Sequence, residues 1–240
     1  MRLNLFLARA GSGSRREADA WIRAGRVRIN GREPEGMGAD VLPGRDRVTL
    51  DGRLLTLPAQ HRYAAYHKPP ETLVSRRSQG GKRTIFDELG QAAKGLMPVG
   101  RLDYLSEGLL LLTDDGTLSE ALLHPRSALL RRYRLWVLPV PDPPALRRLN
   151  EGAVVEGVHV RPLRVVLEGA AHGRGILAVD VAEGRKREVR TLAKVAGIYV
   201  ERLVRIQFGP IHLGAQRRGT LRPLDPREVT ALRRAAGGSV

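Results

Sequence analysis

The chain has 240 residues, 42% hydrophobic and 28% charged, which fits one large domain or two unequal ones and excludes wholesale disorder. With 41 Lys+Arg against 25 Asp+Glu the formal charge is +16, which favours a polyanionic partner, nucleic acid or an anionic membrane surface, over an acidic protein. Zero cysteines exclude disulfides, thiolate zinc sites and thiol nucleophiles and make the cytoplasm the expected compartment; uncharged apolar runs such as that around Leu109 to Thr113 are far short of the ~18 residues that span a bilayer.

In chain order, Leu3, Phe6, Leu7 and Ala10 fall at i, i+3, i+4 and i+7, one face of a helix that Gly11 to Gly13 end. Arg9 interrupts this apolar run too early for a secretory signal. Ser14 with Glu17 forms a capping box, which predicts a second helix carrying Ala18, Trp21 and Ile22 inward as far as Gly25. Val27 and Ile29 alternate with Arg26 and Arg28 as a strand, and Asn30-Gly31 predicts a hairpin turning back at that point. Arg15, Arg16, Arg23, Arg26, Arg28 and Arg32 stand beside only Glu17 and Asp19 over residues 11–32, a basic face suited to phosphates. The cations are 36 Arg and 5 Lys. Guanidinium forks suit RNA, but a GC-rich genome raises arginine everywhere, so the total charge is the better signal. Residues 33–58, with Pro34, Gly36, Gly38, Pro43, Gly44 and Pro58, are expected to finish a small sheet and pass into a linker at 57–61.

From Arg62 the pattern changes to strands separated by short helices. Strands are expected at 63–67, Val99, 109–112, 133–137, 154–160, 163–167, 176–181 and 200–208. Helices are expected after Thr84, after Thr117 with Glu120 as its capping partner, around 144–150, over 186–196 and after Asp225. Hairpin-like spacing favours an α+β domain on a largely antiparallel mixed sheet over a parallel βαβ array.

No zinc spacing, P-loop or G-x-S-x-G is present and the six histidines are scattered, so neither a metal nor a cofactor is expected. Gly80-Gly81-Lys82-Arg83 lacks the upstream glycine of a phosphate loop and reads as a mobile basic loop. The strongest chemical signal is Gly100-Arg101-Leu102-Asp103-Tyr104-Leu105-Ser106-Glu107-Gly108, a loop carboxylate flanked by arginine and followed by an apolar run that must be buried. By residue physics alone Asp103 is a catalytic group, an ion-pair partner of Arg101, or one acid of a glycosidase pair with Asp114 or Asp115.

That motif resembles the catalytic motif of the pseudouridine synthases, in the RsuA/RluB branch that modifies ribosomal RNA. His67-Lys68-Pro69-Pro70, Lys82-Arg83-Thr84-Ile85-Phe86-Asp87, Asp114-Asp115-Gly116 and His124-Pro125 resemble the same branch. Residues 1–58, through Arg2-Leu3, Gly13-Ser14-Arg15-Arg16-Glu17-Ala18 and Gly25-Arg26-Val27-Arg28-Ile29-Asn30-Gly31, resemble the small RNA-binding domain named after ribosomal protein S-four. The resemblance implies an RNA-binding domain and linker at 1–58 and a catalytic domain at 59–240. It implies Asp103 as the nucleophile and Arg101 as a residue that helps hold the RNA open. Arg132-Tyr133-Arg134-Leu135-Trp136-Val137 matches the segment whose tyrosine stacks on the target base, which gives that role to Tyr133. Glu183-Gly184-Arg185-Lys186-Arg187-Glu188-Val189-Arg190 matches the motif whose last arginine, here Arg190, pairs with the aspartate. The family more often has Gln and Arg where this chain has Glu188 and Thr191. Leu203 aligns with an apolar residue that packs on the base.

The N-terminal arginines with Lys82, Arg83, Arg185, Lys186 and Arg187 are then expected to hold phosphates. Isomerising uridine adds and removes no atom, which fits the absence of any cofactor motif. Met97-Pro98-Val99-Gly100 and residues 82–86 are closer to enzymes of 23S than of 16S rRNA, so the expected partner is 23S rRNA or a pre-ribosomal particle, met by a cytoplasmic monomer. The alternatives are the same chemistry on 16S rRNA or tRNA, or a non-catalytic ribosome-binding or assembly factor.

Overall fold

The computed structural model describes residues 1–237, which form two compact units: Met1–Arg62 with Ala93–Met97, and Tyr63–Ala92 with the chain from Pro98 onward.

In the first unit, helix α1 (Leu3–Arg9) buries Leu3, Phe6 and Leu7, and α2 (Arg15–Arg23) buries Ala18 and Ile22. The capping box forms: Ser14 Oγ accepts from the Glu17 amide at 3.2 Å, and the Glu17 carboxylate accepts from the Ser14 amide at 2.7 Å. Strand β1 (Val27–Ile29) leads into the Asn30-Gly31 turn, where both residues have positive φ, 51° and 82°. The turn closes one bridge, Ile29 to Arg32, and the expected hairpin goes no further. Two residues on, Pro34 has no amide to give a ladder, and the Asn30 side chain serves a different strand. Its Oδ1 accepts from the Arg47 amide at 2.9 Å and its Nδ2 donates to Asp46. The partner of β1 is therefore β2 (Val48–Leu50), which turns at Asp51-Gly52 into β3 (Arg53–Leu55). Val41 and Val48 join the two helices in one core.

The second unit contains β4 (Tyr63–Lys68), α3 (Ile85–Leu89), β6 (Glu107–Thr113), α4 (Gly116–Leu123), β7 (Arg131–Leu138) and α5 (Pro143–Glu151). A two-residue strand, β5 (Met97–Pro98), lies before β6 in the chain. There follow β8 (Ala153–Val155), β9 (Val158–Val160), β10 (Arg164–Ala171), β11 (Arg174–Val181), α6 (Glu188–Val195), β12 (Tyr199–Phe208), β13 (Ile211–His212), β14 (Leu221–Pro223) and α7 (Pro226–Ala235). The main sheet runs β10-β11-β7-β12-β6-β4-β14, and along that path only β12 and β6 are parallel. This is the α+β, largely antiparallel architecture the spacing predicts. The parallel crossing needs glycine at position 108, where φ is 108° and a Cβ would meet the Arg205 carbonyl oxygen at 2.3 Å.

Three expectations are corrected. Residues 154–160 are not one strand but the ribbon β8–β9, because Glu156 and Gly157 take positive φ (49° and 80°) and fold the run back on itself. Helix α4 starts one residue before Thr117, and its cap is Asp115, whose carboxylate accepts from the Leu118 amide at 3.0 Å. Helix α6 starts at Glu188 rather than 186, because Arg187 is left-handed, with φ 53°. Among the described residues no helix is long and apolar enough to cross a membrane.

Candidate active site

Strand β6 is buried along its whole length, so the loop before it stands on a rigid base. Within that loop the Asp103 carbonyl accepts from the Ser106 amide at 3.0 Å, closing a turn. Lys68, fully buried at the end of β4, fixes this turn from below: its ammonium donates to the carbonyls of Ser106 (2.8 Å), Pro69 (2.8 Å) and Tyr104 (3.4 Å). Burial pulls the Lys68 amine down to about 8, with Glu88, Asp103 and Glu107 opposing that shift. Just after the turn, Glu107 is clasped by Arg202 (2.5 Å) and Arg218 (3.0 Å). Burial alone would raise its carboxyl, but those hydrogen bonds overcome it and hold the group ionised.

Asp103 opens onto a cleft of about 790 Å³ that lies within the second unit. Arg101, Tyr133, Arg190, Leu203, Lys82, Arg185, Lys186 and Arg187 line it with Asp103, so the sequence-derived set for this unit converges, apart from Arg83. Tyr133 faces Arg205 and Val179 across β12 and β11 and is buried more deeply than a half-buried strand residue. Leu203 sits two residues from Arg205 on β12, on the same face. Lys82 lies over the Tyr104 ring, 4.6 Å from its centroid, next to the Asp103 turn.

Arg190, on α6, donates to the Leu105 carbonyl (3.4 Å) and the Val200 carbonyl (3.5 Å), and its buried Nε has no acceptor among the described residues. Burial lowers its pKa, and Asp103 is the foremost charge acting in the other direction. The two groups thus feel each other, although no Arg190 nitrogen comes within 4.0 Å of the carboxylate. Glu188, at the start of α6, is buried, and burial reinforced by Glu183 raises its carboxyl pKa against the Arg185 amide, which donates to it at 3.0 Å.

Sequence reasoning passed over Lys68, Arg131 and Arg205 as site residues. Arg131 was findable: it is two residues from Tyr133 on a strand and so shares its face. Arg205 bears the same relation to Leu203. Lys68 stood only within the His67-Lys68-Pro69-Pro70 motif and nothing local marked it as holding the Asp103 turn, because two of its three carbonyl partners lie 36 and 38 residues away.

Asp114 and Asp115 do not line the cleft, and Asp115 is engaged in capping α4 and accepting from the Tyr63 hydroxyl at 2.7 Å, so neither supplies a second acid opposite Asp103. No group of three His, Cys, Asp or Glu able to hold a metal occurs among the described residues. In the first unit the six candidate arginines, Arg15, Arg16, Arg23, Arg26, Arg28 and Arg32, are all exposed. Arg26 grips Asp51 with two hydrogen bonds (2.9 and 2.5 Å), Arg28 pairs with Glu33 at 3.1 Å, and Arg15 reaches Asn4 at 3.5 Å. Arg16, Arg23 and Arg32 make no ion pair among the described residues.

Over residues 62–194, which include every residue of this cleft from Leu73 to Arg190, the sequence matches the RNA pseudouridylate synthase family. The chain belongs to that family and is an RNA pseudouridine synthase; residues 1–33 match the S4 domain. In particular, it is 37% identical over 238 residues to a protein of Aquifex aeolicus named an uncharacterized RNA pseudouridine synthase, spanning 99% of this chain and 95% of that one. It is 37% identical to the ribosomal large subunit pseudouridine synthase B of Vibrio cholerae, spanning 97% and 74% of the two chains. A crystal structure of a pseudouridylate synthase superposes with a TM-score of 0.64 at 26% identity, over 97% and 99% of the two chains.

Proposed function

We propose that this enzyme isomerises a uridine of ribosomal RNA, in the 23S molecule, through nucleophilic attack by Asp103. The observation that carries the reading is the convergence of Asp103, Tyr133, Arg190 and Leu203 on one cleft, from a loop, two strands and a helix far apart in the chain. The substrate assignment rests on the likeness to large-subunit enzymes such as that of Vibrio cholerae.

The target base must leave its stack at a cost of a few kcal/mol, and the Tyr133 ring with the Leu203 side chain replaces the lost stacking. Arg101, exposed at the cleft rim, holds the RNA open beside Asp103. The carboxylate forms a covalent bond to the base or the sugar, the bond from N1 to C1′ breaks, the base turns, C5 takes the place of N1, the bond to Asp103 is released, and C5 gives up its proton while N1 gains one. Arg190 keeps a positive charge within reach of Asp103 and so favours its nucleophilic form. Lys82, Arg83, Arg185, Lys186 and Arg187 of residues 59–240, and the arginines of residues 1–58, hold phosphates and set the register without reading sequence. The enzyme works on its RNA in the cytoplasm as a monomer.

Mapping pseudouridine in the rRNAs of a strain lacking this gene tests the reading. Loss of one 23S pseudouridine, restored by the wild-type gene and not by an Asp103→Asn copy, is the expected result. Loss of a site in 16S rRNA or tRNA would move the substrate, and an unchanged map would favour an assembly factor.

A further inference from the structure

At the floor of the cleft lie two guanidinium groups that no known part of the reaction uses. Arg131 is 6% exposed and Arg205 3% exposed, and each guanidinium carbon is 5.1 Å from the centroid of the Phe208 ring. Neither has a carboxylate within 4.0 Å among the described residues. Arg131 donates to the carbonyls of Leu129 (2.9 Å) and Ala182 (2.5 Å), Arg205 donates through Nε to the Leu109 carbonyl (2.8 Å), and one terminal nitrogen of Arg205 is shut off from solvent without any acceptor. Two buried cations side by side are costly unless something compensates them, and Glu188 and Glu183 act on Arg131 only at a distance, without an ion pair.

Their position points to what compensates them. Arg205 is the cross-strand neighbour of Tyr133 and shares its face with Leu203, and Arg131 shares the face of Tyr133, so the pair lies beside the two side chains assigned to the base. The exposed cations Arg101, Lys186 and Arg187 occupy the rim, where a sugar-phosphate backbone passes. We propose that Arg131 and Arg205 supply a fixed positive field that stabilises the negative charge developing on the uracil ring during isomerisation. This rests on the proposed reaction, and it holds whichever atom Asp103 attacks. If the carboxylate displaces the base from C1′, the electron pair of the N1–C1′ bond leaves on the base and spreads over O2 and O4. If it adds to C6, the electrons of the C5–C6 double bond pass to O4. The ring returns to neutral once C5 has bonded to C1′, the C5 proton has left and N1 has taken one up. A preorganised charge in a water-poor site acts on such an anion far more strongly than water does.

The test uses the full-length protein and 23S rRNA transcribed with uridine or with 5-fluorouridine, the products being digested to nucleosides, separated by chromatography because the isomers have equal mass, and read by mass spectrometry. The rearranged 5-fluorouracil has no C5 proton to lose, so it keeps its fluorine and takes up water across N1 and C6. Fluorine already stabilises the ring anion, so dependence on the field should shrink. Arg205→Met and Arg131→Met should each lower the single-turnover rate on uridine about 100-fold at saturating RNA, with RNA affinity unchanged and a clearly smaller loss on 5-fluorouridine. Arg205→Lys and Arg131→Lys, which keep the charge, should recover most of the rate. If a Met variant fails to fold by thermal melting, its Lys variant carries the test, its residual defect again being smaller on 5-fluorouridine. Equal losses on both RNAs, or losses confined to affinity, would overturn the proposal. A wild-type enzyme that forms no pseudouridine in the transcript would instead overturn the proposed reaction, and this inference with it.

Discussion

Arg26 and Arg28 of the N-terminal unit lie exposed and reach Asp51 and Glu33, whereas Arg131 and Arg205 lie buried in the catalytic unit and reach only carbonyl oxygens and the Phe208 ring. Solvent screens the first kind of charge, so it acts on whatever polyanion comes close and weakens with salt. Protein surrounds the second kind, so it acts on a few atoms at fixed distance and salt barely touches it. Burial thus decides how far the charge of each arginine reaches. The same division separates Arg190, half-buried and facing Asp103, from Arg16 and Arg23 on the surface.

Substitutions graded from the floor of the cleft outward to the surface sharpen this contrast. Asp103→Asn should lower turnover at least about 1,000-fold, since the amide keeps the shape but is a far weaker nucleophile; filter binding should show RNA affinity close to wild type. Arg190→Met should lower turnover about 100-fold with affinity nearly unchanged, measured as kcat and KM separately. A defect in KM alone would class Arg190 with the surface arginines.

Lys68 provides a pH test. Its amine titrates at about 8, so raising the pH through that value removes the proton and one of the three donors that hold the Asp103 turn. Turnover should therefore fall on the alkaline side of about pH 8. Lys68→Arg, if it folds, should move that limb upward because a guanidinium stays charged, and Lys68→Met should cost up to about 100-fold through misplacement of the turn. A pH profile from 6 to 10 for the three proteins decides.

The smallest effects belong to the N-terminal unit. Arg16→Met with Arg23→Met should weaken RNA binding and lower its salt slope by about 0.7 to 0.9 for every phosphate left unneutralised, with saturated turnover intact. Arg26→Met should change the slope less, because Arg26 is already committed to Asp51. Equal changes for the paired and the free arginines would break the distinction between them.

Much of this molecule is written locally. The helices at Leu3 and Arg15, the caps at Ser14, Thr84 and Asp225, the strand carrying Tyr133 and the mixed α+β class all follow from periodicity and capping chemistry within a few residues. The resemblance of an ordered series of motifs to the family singles out Asp103, Tyr133, Arg190 and Leu203 as candidates, and the fold brings them to one cleft. Local signals failed where a choice depended on distant partners. Asn30-Gly31 fixed a turn, but which strand β1 joins was decided by Asn30 reaching Asp46 and Arg47. A lysine at the end of a strand looks like any other until its carbonyl acceptors arrive from a loop 38 residues on, and an arginine in a strand does not declare whether it will be screened or buried. The sequence determined the elements, because those interactions close within a turn or a pleat, while the candidate chemical residues came from a resemblance between motifs. The tertiary structure alone decided which cations lost their water, because burial is a property of everything packed around a residue and of nothing in its own neighbourhood along the chain.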